Sequence, residues 1–395
     1  MNIVVKSLIQ ITLVMIGFFS MTGIPNSLMA KPVTIERVKI AVEKALDPIV
    51  KSATAYVEEK SCFTCHHQAL PVMAASNAEL IGIKADRHWL ELQRKFTADF
   101  FLKRKADLAQ GRGVPGGAFT AGYALAQFMS TSQLTEEEGN DESRRLEGTN
   151  ELLEYLLEIY RPERPWKINT IRPPLESSDF TATGLAIAAL GTFEREKLME
   201  RVNDIRKWYQ KTKAVSAEDR AFQLMGWYWL INTQYYQQAL REIPAWPDDN
   251  RKLLRARLRK QSEKRPNQQL GNQADLEQLQ KMISTLKQLQ LEDGGWGQTD
   301  TMQSDAYATG LIMTALLTVQ PELIHEEWCS LGVDYLLEGQ KKDGTWHVLT
   351  RSKPIQEYFE SGFPHGEDQF ISISASCWSV IALSKSIHAR LHLRK

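Results

Sequence analysis

Cysteine is scarce in this chain: four in 395 residues, Cys62, Cys65, Cys329 and Cys377. That is far too few for a disulfide-built scaffold, so stability must come from a packed core. Net charge is absent as well, because 48 Lys and Arg balance 48 Asp and Glu. A neutral chain has no global field to draw nucleic acid or an anionic membrane, and no nucleic-acid partner is expected. Period-two alternation is missing over any useful length, which argues against a sheet. There is no evident acid cluster, nucleophile triad or phosphate-cradling glycine loop either. What is present is 43% hydrophobic and 24% charged residues, the balance of a soluble protein with a sizeable core.

The first thirty residues stand apart. Lys6 precedes a run from Ser7 to Met21 broken only by Gln10, Thr12, Gly17 and Ser20. A short positive start followed by such a run reads as a secretory signal over residues 1–30, cut near Ala30. The alternative is an uncleaved anchor, since Ile3 to Ile24 is long enough to cross a bilayer at a tilt. Either way, residues 31–395 are expected to form a single exported domain, periplasmic or otherwise extracytoplasmic.

Internal repeats organise that domain. Gln290 and Trp296 frame QLEDGGW, and Gln340 and Trp346 frame QKKDGTW 50 residues later. Each follows a helical stretch, and Asp-Gly supplies the left-handed turn that ends it. A second repeat runs from Asp179 to Leu190 and again from Asp305 to Leu316, with further versions at 119–128 and 375–383. These segments are apolar nearly all round, so each reads as a fully buried helix.

Six such inner helices are expected to start near His66, Ala118, Phe180, Arg220, Ala306 and Ser372. Amphipathic helices precede them at about 35–60, 86–109, 144–160, 196–213, 275–290 and 327–340. The implied fold is all-α, an (α/α)6 toroid with an inner barrel wrapped by an outer one. Arg251 to Arg265 carries eight basic residues and one acidic, and reads as part of a solvated insertion over 240–274. The acidic stretch 136–142 reads as a loop.

Chemistry concentrates at Cys62-Phe63-Thr64-Cys65-His66. Two thiols three residues apart can add to both vinyl groups of one porphyrin, and the next histidine can then meet the iron. Covalent c-type haem on Cys62, Cys65 and His66 is the leading expectation. Zinc held by Cys62, Cys65 and a histidine is an alternative, and a Cys62–Cys65 disulfide another. Ring closure would bring the loop of His365 towards His66, making His365 a candidate second metal ligand. Phe180, Tyr307, Phe359, Phe363, Phe370 and Trp378 could line a cavity for a hydrophobic small molecule. A redox partner would follow from the haem reading.

The Gln-to-Trp elements resemble the repeats of triterpene cyclases. The chain is further similar to exported squalene-cyclase-like bacterial proteins with a haem-attachment-type motif near the start of the toroid. The matching residues are Cys62 to Pro71, Pro173 to Ala186, Asp293 to Gly310, Asp343 to Val348 and Tyr358 to Ser372. The resemblance implies twelve helices in two rings. It does not extend to cyclisation, because the Asp-x-Asp-Asp acid motif is missing and Asp248-Asp249 is the only adjacent aspartate pair. Asp179 and Asp305 are expected to be helix caps. The resulting expectation is a toroid protein in electron transfer or oxidation of an apolar ligand. A zinc enzyme or a non-catalytic binding module is the alternative.

Overall fold

The computed structural model describes residues 33–132, 147–242, 272–354 and 358–393. The residues from Val33 onward form one compact unit. The signal segment, nearly all of the basic insertion and the acidic stretch 136–142 lie outside the described residues.

Twelve helices make the frame, and they alternate as the sequence pattern requires. The outer set is α1 (Ile35–Glu59), α3 (Arg87–Leu102), α5 (Thr149–Glu158), α7 (Val202–Lys211), α9 (Gln273–Gln288) and α11 (Glu327–Gly339). The inner set is α2 (Leu70–Ala78, entered through a π turn Cys65–Ala69), α4 (Ala118–Ser132), α6 (Asp179–Phe193), α8 (Ala217–Glu242), α10 (Ala306–Val319) and α12 (Gln369–His392). Each inner helix packs on the next, and α12 packs on both α10 and α2, so the ring is closed. No strand occurs among the described residues. The expected all-α toroid is the observed fold.

Side-chain size explains which helices go inside. Along α10 thirteen positions from Ala306 to Val319 are buried, with Gly310 facing the backbone of Trp378 and Ser379 on α12. A Cβ at Gly310 would come within 2.8 Å of that backbone, so a larger residue would push the two inner helices apart. Outer helices bury one stripe only, as α7 does with Val202, Ile205, Trp208 and Tyr209.

Two Gln-to-Trp repeats fasten an outer helix to its successor. Gln290 donates from Nε2 to Gly294 O and Trp328 O, both at 2.7 Å, while Trp296 Nε1 donates to Leu286 O at 2.7 Å. Gln340 repeats this with Gly344 O at 2.9 Å and Ala41 O at 2.7 Å, and Trp346 Nε1 donates to Leu336 O at 2.7 Å. The second copy therefore reaches α1 and joins the end of the chain to its start. Trp166 is a third copy, donating to Leu156 O at 2.8 Å. Gly344 has φ +91 and lies against Lys44 O, so both conformation and space demand glycine.

Because every inner helix follows an outer one through a connecting loop, all six inner N-termini and their loops lie at one end of the barrel. That end is the mouth.

Candidate functional site

The motif at Cys62 does sit where the first inner helix begins, but its side chains diverge. Cys62 is exposed, its Sγ 3.1 Å from Tyr56 Oη, whereas Cys65 is buried. Both are free thiols, so the pair forms no disulfide in this structure. Burial pushes the Cys65 thiol well up, Glu176 adding to the effect and Arg172 opposing it. It is therefore held as a neutral thiol rather than a thiolate.

His66 and His67 face one another, Nδ1 to Nδ1 at 2.5 Å. Hydrogen-bond direction assigns their protons. Ser361 donates to Gln369 Oε1, and Ser52 donates to Ser361 Oγ at 3.0 Å. His67 Nε2–H must then donate to Ser52 Oγ, at 3.1 Å, and His67 Nδ1 must accept from His66. Burial lowers the pKa of His66 from 6.5 to about 3, with Arg172 adding to the effect, and lowers that of His67 likewise. Both rings are neutral. The motif is a hydrogen-bonded seam between α1, α2 and α12.

His365 does not join it. Its Nε2 lies 2.7 Å from Thr345 Oγ1 and its ring stacks on His347 at 4.5 Å. The ring neighbours of His66 are instead Tyr56, His67 and Phe370. Ring closure was read correctly, yet the Asp343–Thr345 turn captures His365 first. Among the described residues, no group of three or more His, Cys, Asp and Glu side chains could hold a metal ion. In this structure His365 lies with Thr345 and His347, apart from Cys62, Cys65 and His66.

What does converge at the mouth is a different set. Glu218, in the first turn of α8, is only 2% exposed. Its Oε1 accepts from Thr181 Oγ1 on α6 at 2.8 Å, and its Oε2 accepts from Tyr307 Oη on α10 at 2.5 Å. Burial raises its pKa from 4.5 to about 8; the two hydroxyls pull it down and Asp219 pushes it up. Desolvation wins, so the carboxyl is protonated at neutral pH. Tyr123 of α4 also lies near enough for the Glu218 charge to act on it.

A cavity of about 40 Å³ adjoins Glu218, bounded by Pro173, Pro174, Gln298, Tyr307 and Arg351 among others. That is room for roughly one to three waters. Its roof is made of loops. Arg172 and Glu176 exchange backbone hydrogen bonds at 2.6 and 3.0 Å and form an ion pair. Ser352 Oγ donates to Pro173 O at 2.9 Å, and Arg351 Nη1 donates to Gln298 Oε1 at 2.9 Å. Asp305 caps α10 through Ala308 N at 2.9 Å, and burial raises its pKa to about 6. Asp179 is not a cap; Ser178 takes that place and Asp179 accepts from Ile168 N at 2.9 Å.

Of the six aromatics expected around a central cavity, Tyr307 is the one that borders this space. Phe180 packs outward on Trp208 at 4.7 Å. Thr181 and Tyr307 occupy the same position of the repeat, two residues after Asp179 and Asp305. That correspondence was available in the sequence; Glu218, in a stretch with no repeat partner, carried no signal of its own.

No protein-family model matches the chain, and no curated protein matches it in sequence. Several solved structures resemble its fold, two of them as follows. One, from Salmonella enterica serovar Paratyphi A and described as a possible member of the GH105 family, has TM-score 0.51 and 13% identity, covering 92% of this chain and 97% of that one. The other, from Klebsiella pneumoniae and described in the same words, has TM-score 0.53 and 12% identity, again covering 92% and 97%. These toroids overturn the assignment to a squalene-cyclase-like family. With no group of three or more candidate metal ligands among the described residues, they also overturn the reading as a haem electron-transfer or metal-binding protein.

Proposed function

We propose that this chain is an exported glycoside hydrolase whose proton donor is Glu218. One observation carries the reading: a carboxyl with its pKa raised to about 8, held by hydroxyls from two neighbouring inner helices, at the edge of a cavity in the barrel mouth. A general acid works best when its pKa lies near the operating pH, and burial has placed Glu218 there. The shared toroid with chains described as possible GH105 members supports the same class of substrate.

Both Glu218 oxygens already accept a bond, so its own proton is free to go to a group entering the cavity. Glu218 protonates the leaving oxygen as the bond to that oxygen breaks; water adds at the carbon, and its proton returns to the Glu218 carboxylate. A space of about 40 Å³ admits water but no sugar, so the Pro173–Pro174 and Arg351 loops must part for substrate to enter. Release of reducing ends from a panel of oligosaccharides tests this. Glu218→Gln should lower the rate about 10²- to 10⁴-fold with unchanged melting temperature at pH 5. Full activity in that variant, or no release by the native protein from any glycan, would overturn the proposal.

A further inference from the structure

We infer that the barrel mouth docks on an anionic lipid surface. The three most exposed large apolar side chains among the described residues are Ile171 (85%), Leu349 (70%) and Val215 (58%). All three sit on mouth loops, preceding α12, α8 and α6 respectively for Leu349, Val215 and Ile171. Single exposed apolar residues are ordinary; three at the tips of neighbouring loops form a patch.

Those loops are physically joined. Ser352 Oγ bonds to Pro173 O at 2.9 Å, linking the loops of Leu349 and Ile171. Ala217 N donates to Gln298 O at 3.0 Å, and Arg351 bonds to Gln298, linking the loop of Val215 to the other two. Each apolar tip also has an exposed lysine close by in sequence: Lys167 before Ile171, Lys213 before Val215, Lys353 after Leu349. No carboxylate pairs with these three lysines among the described residues, unlike Arg164 with Asp179 and Arg172 with Glu176.

Apolar tips that enter the acyl boundary, ringed by unpaired lysines at headgroup level, complement an anionic bilayer. The chain is neutral overall, so attraction has to come from this local patch. The inference does not depend on the hydrolase reading. If both hold, the cavity beside Glu218 opens towards the lipid surface, and its glycans are those presented there.

The apolar N-terminal stretch could itself bind vesicles, so the test must read the loops directly. Hydrogen exchange of the full chain is measured with vesicles of phosphatidylcholine alone and of phosphatidylcholine with phosphatidylglycerol. Amides at 168–176, 213–217 and 347–353 should slow at least threefold on the anionic vesicles only, and recover in high salt. The triple variant Ile171→Ser, Val215→Ser, Leu349→Ser should lose that protection while its melting temperature in solution is unchanged. Vesicle-bound protein whose mouth loops exchange at the free rate would overturn the inference. So would protection that appears without lipid and tracks a second copy on size exclusion.

Discussion

Two inner helices begin with residues that carry chemistry, and they use them in opposite ways. At α2 the cysteines and histidines are adjacent in sequence, yet they point apart or bond to one another, and their exchangeable groups are spent on the seam to α1 and α12. At α8 a single glutamate is surrounded by groups distant in sequence, Thr181 and Tyr307 at separations of 37 and 89 residues. The first is a cluster in sequence that disperses in space. The second is a cluster only in space. Chemical potential follows the second, because a pKa is set by what surrounds a group in three dimensions.

The sharpest way to break this contrast is paired substitution. Glu218→Gln should cost about 10²- to 10⁴-fold in hydrolytic rate, whereas Cys62→Ser should leave the rate within about twofold, both read from the same reducing-end assay. Equal losses would mean that α2 belongs to the active centre after all.

The next effect is on stability against pH, where the two helix starts should slope oppositely. Glu218 has its folded pKa raised from 4.5 to about 8, so the folded state keeps a proton that the unfolded state has lost. Its contribution is complete below pH 4.5 and declines as pH rises towards 8, at about 1.4 kcal/mol per unit. His66 has its folded pKa lowered from 6.5 to about 3. Its contribution is complete above pH 6.5 and is lost as pH falls towards 3. Denaturant titrations across pH 4 to 9 should show Glu218→Gln flattening the alkaline arm and His66→Gln flattening the acid arm. A variant that flattens the wrong arm refutes the assignment of protonation states.

Tyr307→Phe removes one hydroxyl that holds the Glu218 carboxylate and pulls its pKa down. The expected cost is about 1 kcal/mol in unfolding free energy. The alkaline limb of the rate profile should also move to higher pH, which a purely structural tyrosine would not cause. Smallest of all, Cys62→Ser should change stability by less than about 0.5 kcal/mol, since the thiol is exposed. A loss well above that would return importance to its contact with Tyr56.

Much of the architecture was legible in the sequence. The expected outer helix at 327–340 is observed at Glu327–Gly339, and the expected inner start at Ala306 falls on that residue. Apolar period and Asp-Gly turns are local properties, which is why they survive into the fold. The third tryptophan copy at Trp166 was missed because its turn, Arg161 to Pro165, lacks the Asp-Gly signature. The site was poorly legible for the converse reason. Cys62 to His66 has haem spacing, but spacing does not say that Cys65 turns inward while Cys62 turns out. His365 was placed by correct topology near the seam and then drawn to Thr345, an atomic choice no topology specifies.

The sequence by itself determined the toroid: six buried and six half-buried helices, their order, and the two Gln-to-Trp turns that fasten α9 to α11 and α11 to α1. Period and turn chemistry suffice there, since every contact involved repeats a local pattern. Only the tertiary structure decided which polar groups matter, because desolvating Glu218 requires α6, α8 and α10 to close around it. A carboxyl becomes an acid at neutral pH through the company it keeps, and that company is assembled by ring closure.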